Sequence, residues 1–233
     1  TAAPSRVAPQ AVPLRPVAEA LLAAQPSMAP LWTAVAAALD KGQPNAFERY
    51  VQRMKRAAQA ISRHAATLLT EEMRTTPLEL VTLSFSGTVT DVLLALNATT
   101  PVRLACAEGR PALEGRRLAE RVAAAGIAVT FYTDASLSQA LATAEAVVVG
   151  ADAVTPNWFL NKSGTRMLAA AAAYVGVPVY VAAAQHKFVS IGVAARLRIR
   201  EESASEVWAT PPPGVIVRNP YFERTPLDLV TAV

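Results

Sequence analysis

After Pro77 the sequence alternates short β-branched or apolar runs with Ala- and Leu-rich stretches, and this alternation limits the fold more than any other feature of the chain. The runs are Leu80 to Ser84, Val102 to Ala105, Ala128 to Tyr132, Ala146 to Val149, Val177 to Ala182 and Val215 to Val217. Each is predicted as a strand, with helices falling between them. Strands joined through helices at this spacing imply right-handed crossovers and a mainly parallel, doubly wound sheet. Ligands of such sheets bind beyond the carboxyl ends of the strands.

Upstream of the alternation the pattern is helical. Val17 to Ala24, Ser27 to Leu39 and Ala46 to Leu69 are the predicted helices, with breaks at Gln25-Pro26 and Gly42-Gln43-Pro44. On the third, Tyr50, Val51, Met54, Ala58, Ile61, Ala65 and Leu68 follow helical spacing. Arg49, Arg53, Lys55, Arg56 and Arg63 are then most simply its solvated face. Residues 17–76 read as a small helical domain and residues 77–233 as the α/β domain. Residues 1–16 hold Pro4, Pro9, Pro13 and Pro16 among small residues, a composition that favours extended chain and reads as a tail or linker. The expected class is α/β: a small N-terminal helical domain followed by a Rossmann-like, mainly parallel doubly wound sheet.

The 233 residues are 52% hydrophobic and 17% charged, which supports a substantial core and excludes disorder throughout. The apolar excess raises the question of a membrane span, because Met167 to Gln185 carries no formal charge. Gly176-Val177-Pro178 interrupts that run, which therefore reads as a helix, a turn and a buried strand in series. No charged segment followed by an apolar one opens the chain, so no secretory signal is visible and a cytoplasmic protein is expected. Cys106 is the single cysteine and His64 and His186 the two histidines, a set that excludes an intrachain disulfide and Cys/His zinc clusters. No metal and no cofactor are expected. Basic residues number 22 against 18 acidic, a net charge of +4, too mild a balance to favour nucleic acid as a partner.

Four strand ends carry residues suited to chemistry. Ser84-Phe85-Ser86-Gly87-Thr88 follows the first strand and opens the helix Val89 to Leu96. Free amides among Ser86, Gly87 and Thr88 suit an anion, and ordinary N-capping by Ser86 or Thr88 accounts for the same residues. Glu108-Gly109-Arg110-Pro111 follows the second strand: Arg110 offers a fork for phosphate or carboxylate and Glu108 a ligand for a sugar hydroxyl, against a plain surface ion pair between the two. Cys106, just before them, reads as a small buried hydrophobe. Gly150-Ala151-Asp152 places a carboxylate beyond an apolar strand, where it can act as acid, base or hydroxyl ligand, or cap a turn. Asn161-Lys162-Ser163-Gly164-Thr165 is an anion site by composition, without the spacing of a nucleoside-triphosphate P-loop.

Taken in order, these pieces resemble the translation initiation factor 2B alpha/beta/delta family, which also contains methylthioribose-1-phosphate isomerase and ribose-1,5-bisphosphate isomerase. The resemblance rests on Gly150 to Val154 with Asn161 to Thr165, on Glu108 to Pro111 with Glu114-Gly115-Arg116 and Gly126 to Thr130, on Lys187-Phe188, and on Arg218 to Pro226. For the isomerases it implies a catalytic cysteine and aspartate. The aspartate matches Asp152, but the cysteine's position carries Ser84. A hydroxyl is a far weaker acid than a thiol of pKa about 8.5, and losing a general acid slows a reaction about 10²–10⁴-fold. Gln25 stands where the family commonly has an arginine before proline. Phosphate binding would then rest on Ser86, Gly87, Thr88, Arg110 and Lys162, with Glu108 and Asn161 beside them.

The resemblance implies a protein that binds a phosphorylated sugar or nucleotide at the strand ends, regulatory or catalytically impaired, as a homodimer or larger homo-oligomer and away from membranes. An aldose–ketose isomerase acting on a sugar 1-phosphate through Asp152, and a structural subunit using the apolar segment Tyr221 to Val233 as an interface, are the alternatives.

Overall fold

A computed structural model describes residues 14–40, 45–73 and 75–233; the expected break at Gly42-Gln43-Pro44 and residues 1–13 of the expected tail lie outside them. Three helices open the described chain: α1 (Leu14–Ala24), α2 (Ala29–Leu39) and α3 (Ala46–Glu72). Pro16, assigned to the tail by composition, belongs instead to the first turn of α1. A proline is tolerated there because the first-turn N–H groups have no intrahelical acceptor to lose. Pro30 occupies the equivalent place in α2. The basic residues of α3 are exposed as expected, while Leu69 is buried and Ile61, Ala65 and Leu68 pack with it.

The parallel sheet consists of β1 (Leu78–Leu83), β2 (Val102–Ala107), β3 (Ala128–Tyr132), β4 (Ala146–Gly150) and β7 (Val179–Ala182), in the order β3-β2-β1-β4-β7. Every pairing is parallel. Alternation along each strand divides the core. Leu78, Leu80, Val102, Leu104, Cys106, Ala146 and Val148 face α3, α4 (Gly87–Asn97) and α5 (Glu114–Ala123). Val81, Leu83, Val147, Val149 and Val181 face α6 (Thr165–Val175) and the 3₁₀ segment Asp134–Ala142. Strands apolar on both faces are what helices on both sides of a parallel sheet require. The uncharged run from Met167 resolves into α6, a left-handed Gly176 at φ 78 that ends it, and β7. Among the described residues no helix is long and apolar enough to cross a membrane.

Three features differ from expectation. Val215 to Val217 is not a strand; it follows Pro211-Pro212-Pro213 and Gly214 without a pairing partner among the described residues, and Ile216 is 85% exposed. A second, antiparallel sheet of β5 (Ala153–Val154), β6 (Trp158–Lys162) and β8 (Phe222–Pro226) stands at the carboxyl end of the first. The segment Tyr221 to Val233, expected as an interface, is used largely for internal pairing: β8 lies along β6, and Thr231 and Ala232 hydrogen-bond to β7.

Candidate functional site

The winding of the sheet reverses after β3, which places β4 on the other side of β1; between β1 and β4 lies the switch point at which the loops diverge and leave a crevice. Registers align Leu83 with Ala107, Ala107 with Tyr132 and Gly150 with Ala182, so Ser84, Glu108 and Asp152 all project from one edge.

Ser84 is buried and its backbone lies in the left-handed region at φ 62, a conformation that serine rarely adopts and that costs about 1–3 kcal/mol. Two residues on, the Ser86 hydroxyl accepts the Val89 N–H at 3.4 Å and its carbonyl accepts the Thr90 N–H at 2.9 Å, so Ser86 does cap α4. The amides of Gly87 and Thr88 have no acceptor among the described residues.

The β2 loop is held by Asp134, whose two carboxylate oxygens accept the amides of Gly109 at 2.8 Å and Arg110 at 2.7 Å. The Arg110 side chain is exposed, and among the described residues no ion pair joins it to Glu108. A β-carbon on Gly115 would lie 1.8 Å from the Ala107 carbonyl oxygen, so glycine is what lets α5 begin directly against the end of β2. That placement brings Glu114 into the crevice. A β-carbon on Gly109 would touch both Glu114 Oε2, at 3.2 Å, and Ser84 Cα, at 3.3 Å.

Lys162 is 5% exposed, and its Nζ donates to Glu114 Oε1 and Oε2 at 2.9 and 3.0 Å while lying 4.2 Å from the centre of the Tyr221 ring. The neighbouring start of α6 is likewise satisfied from within: Glu223 Oε1 accepts the amides of Gly164 at 2.7 Å and Arg166 at 2.9 Å. Asn161 turns its Nδ2 to the Thr165 hydroxyl at 3.0 Å, a structural hydrogen bond. At Asn161 to Thr165 the anions present are the chain's own carboxylates, Glu114 on Lys162 and Glu223 on the amides of α6.

Asp152 follows β4 with its amide donating to the Leu160 carbonyl at 2.7 Å and its own carbonyl accepting the amide of Ala29, the first residue of α2, at 3.2 Å. Burial raises its carboxyl above the ordinary range, and the Lys187 ammonium partly offsets that rise. Lys187 is pushed down by burial and drawn back by Asp152. The parallel bridge between Val154 and Phe188, with the Val189 amide on the Val154 carbonyl, carries Lys187 alongside this segment. Cys106, by contrast, is fully buried on the α3–α4–α5 face, and burial pushes its thiol up to about 12.

The structure thus gathers Ser84, Ser86, Glu108, Arg110, Asp152 and Lys162 at one edge and adds Glu114, Lys187, Tyr221 and Glu223 to them. Glu114 carries no signal in the sequence: the burial of Lys162 is visible only in the structure, and no spacing rule indicates a partner 48 positions upstream.

Residues 6–233 match the model of the initiation factor 2 subunit family. The chain is 36% identical over 164 residues to methylthioribose-1-phosphate isomerase of Exiguobacterium sibiricum, covering 66% of this chain and 47% of that protein. It is 34% identical over 139 residues to ribose 1,5-bisphosphate isomerase of Archaeoglobus fulgidus, covering 57% of this chain and 44% of that protein. The chain therefore spans about half the length of the curated relatives it matches. Among solved structures, translation initiation factor eIF-2B of Pyrococcus horikoshii OT3 superposes with a TM-score of 0.79 at 25% identity, over 94% of this chain and 78% of that one. The tetrameric eIF2B-beta2-delta2 complex of C. thermophilum shares the fold with a TM-score of 0.71 at 20% identity, over 98% of this chain and 75% of that one. Sheet order, strand-end motifs and a match over nearly the whole sequence lead to one conclusion: the chain belongs to the initiation factor 2 subunit family.

Proposed function

We propose that the chain binds a phosphorylated sugar or nucleotide in the crevice at the carboxyl ends of β1, β2 and β4, as a regulatory or catalytically impaired relative of the sugar-phosphate isomerases. The phosphate sits at Arg110 and the open amides of Gly87 and Thr88, and sugar hydroxyls meet Asp152 and Glu108. The observation that carries this reading is the pairing of Ser84 at the end of β1 with a sealed Cys106. The position that the family resemblance gives to a catalytic thiol holds a hydroxyl, and the one thiol of the chain lies in the core. Self-association through exposed apolar residues such as Ile191 and Ile216 belongs to the same reading.

The test pairs a thermal-shift titration with a turnover assay, using methylthioribose 1-phosphate and ribose 1,5-bisphosphate beside simple sugar phosphates. Saturation at about 100 times Kd stabilises the fold by about 2.7 kcal/mol. The expected outcome is a rise in Tm without ketose product from the wild type, and product from Ser84→Cys. Absence of any shift sinks the binding reading.

The isomerase alternative is favoured by Asp152, whose raised carboxyl is suited to moving a proton. Ketose formation by the wild type that disappears in Asp152→Asn establishes it in place of the impaired reading.

A further inference from the structure

The two edges of the parallel sheet are finished differently. Along β7 the end of the chain closes the edge: the Val181 amide donates to the Ala232 carbonyl at 3.0 Å and the Thr231 amide to the Val179 carbonyl at 2.8 Å. Along β3 no strand pairs on the outer side among the described residues. The Tyr132 carbonyl accepts the Glu108 amide and so points inward, toward β2. Backbone groups alternate in direction along a strand, so the amides and carbonyls of Val129 and Phe131 point outward. Exposed edges are usually guarded by lysine, proline or a bulge. On β3 all three guards are missing: residues 122–133 hold neither charge nor proline, and the register with β2 runs unbroken from Ala128 to Tyr132. Val129 to Tyr132 are residues that favour strands, and Phe131 is 43% exposed.

We propose that β3 is a docking edge for a second copy of this chain, the two β3 strands pairing antiparallel about a two-fold axis between their Thr130 residues, so that both parallel sheets join into one. In that register Val129 stands opposite Phe131 of the second copy and exchanges both backbone hydrogen bonds with it. Thr130 meets its own counterpart in a close pair without backbone hydrogen bonds, with Cα atoms about 4.5 Å apart. Aromatic rings opposite β-branched residues, and threonine opposite threonine, are stabilising pairs. Ala128 lies opposite Tyr132 of the second copy, and here the protein has room: a cavity of about 250 Å³ beside Ala128 and Thr130 is walled by Ala105, Ala140 and Ala144 together with the Arg103–Glu79 pair. A single register thus satisfies the outward backbone groups, sets an aromatic ring against alanine and a cavity, and brings no like charges face to face within the strands. This self-complementarity favours a second copy over an unrelated strand. The edge also adjoins the crevice, because Asp134, two residues beyond β3, holds the amides of Gly109 and Arg110. It is separate from Ile191 and Ile216, and it does not depend on the proposed ligand.

Light scattering on the full chain at tens of micromolar tests it, with Thr130→Lys and Thr130→Glu as variants. Thr130 is exposed in the single chain, so both variants are expected to melt as wild type does when compared as monomers. Wild type is expected at twice the chain mass. Each variant alone sets like charges opposite each other, weakens the dimer at least tenfold and runs at the mass of one chain. Mixed in equal amounts, the two variants return to twice the mass. Thr130→Cys adds an arm that needs no charged variant to fold: mild oxidation is expected to yield a disulfide-linked dimer, the Cα spacing suiting the bond and Cys106 being sealed in the core. A monomeric wild type overturns the proposal and leaves the metabolite-binding reading to its own titration. A dimer that persists in both variants, variants that stay monomeric when mixed, or a Thr130→Cys protein that does not cross-link also overturns it.

Discussion

A β-carbon on Gly150 would stand 2.5 Å from the Ser86 hydroxyl oxygen and 2.9 Å from the Ser86 β-carbon. The end of β4 and the cap of α4 are therefore in direct contact, and the cap keeps its geometry only because position 150 has no side chain. Gly150→Ala drives the Ser86 side chain off the Val89 amide and is expected to destabilise by about 1–2 kcal/mol. Gly87→Ala, where the added carbon meets nothing within 4 Å, serves as the stability control and stays within about 0.5 kcal/mol. Chemical denaturation of both checks the contrast, and equal losses refute it.

Asp152 and Lys187 make stability depend on pH in a definite direction. The native carboxyl is raised above its unfolded value, so its contribution is fully present below about pH 3.9 and is lost as pH rises through the native value. Asp152→Asn removes that loss, so the Tm of the variant gains on that of the wild type as pH rises through the native carboxyl's titration. Asp152 is also the neighbour that draws Lys187 upward, so the same variant lowers the lysine further and increases its reactivity toward acylating reagents at pH 8. Peptide mapping after brief acetylation reads this out; an unchanged rate contradicts the pairing.

The thiol of Cys106 is expected to be inert. With its ionisation pushed up to about 12 and no exposed surface, it escapes alkylation in the native protein at pH 8 and is labelled fully once the chain is unfolded. Cys106→Ala leaves a small cavity among Leu104, Leu118 and their neighbours, destabilises by about 1 kcal/mol and leaves ligand affinity unchanged. Loss of binding in this variant would mean that the cysteine communicates with the crevice.

A second long-range tie joins α3 to the edge of the sheet, where the Tyr180 hydroxyl donates to Glu72. Burial, followed by that hydrogen bond and the Glu72 charge, pushes the phenol up to about 12. Because the native value exceeds the unfolded one, the contribution of this group holds below about pH 10 and is lost as pH rises toward 12. Tyr180→Phe destabilises by about 1 kcal/mol near neutrality and flattens stability across that alkaline window. Denaturant titrations at pH 8 and pH 11 provide the comparison.

The parallel sheet was legible because its central strands are apolar on both faces, and Ala146 to Val149 is predicted within one residue of β4; the largely exposed edge strand β3 coincides with Ala128 to Tyr132 through its β-branched and aromatic residues. The small sheet was not. β6 ends in Asn161 and Lys162, and β8 holds Glu223 and Arg224, residues with little preference for strands, paired here across about 60 positions of chain. In the site, Asp152, Ser84 and Arg110 could be placed from their positions after strands. The left-handed backbone of Ser84 has no sequence signal, since nothing in the residue itself favours it. Lys187 was visible only as part of a motif, and its approach to Asp152 comes from the bridge between Val154 and Phe188.

Glu223 and Tyr221 reach the start of α6 from β8, which enters the fold after every strand of the main sheet has passed. During synthesis the chain therefore makes the N-terminus of α6 well before the carboxylate that neutralises it, and Lys162 well before the ring that covers it. The charged end of the crevice is therefore completed only by the last strand of the described chain, when β8 pairs with β6.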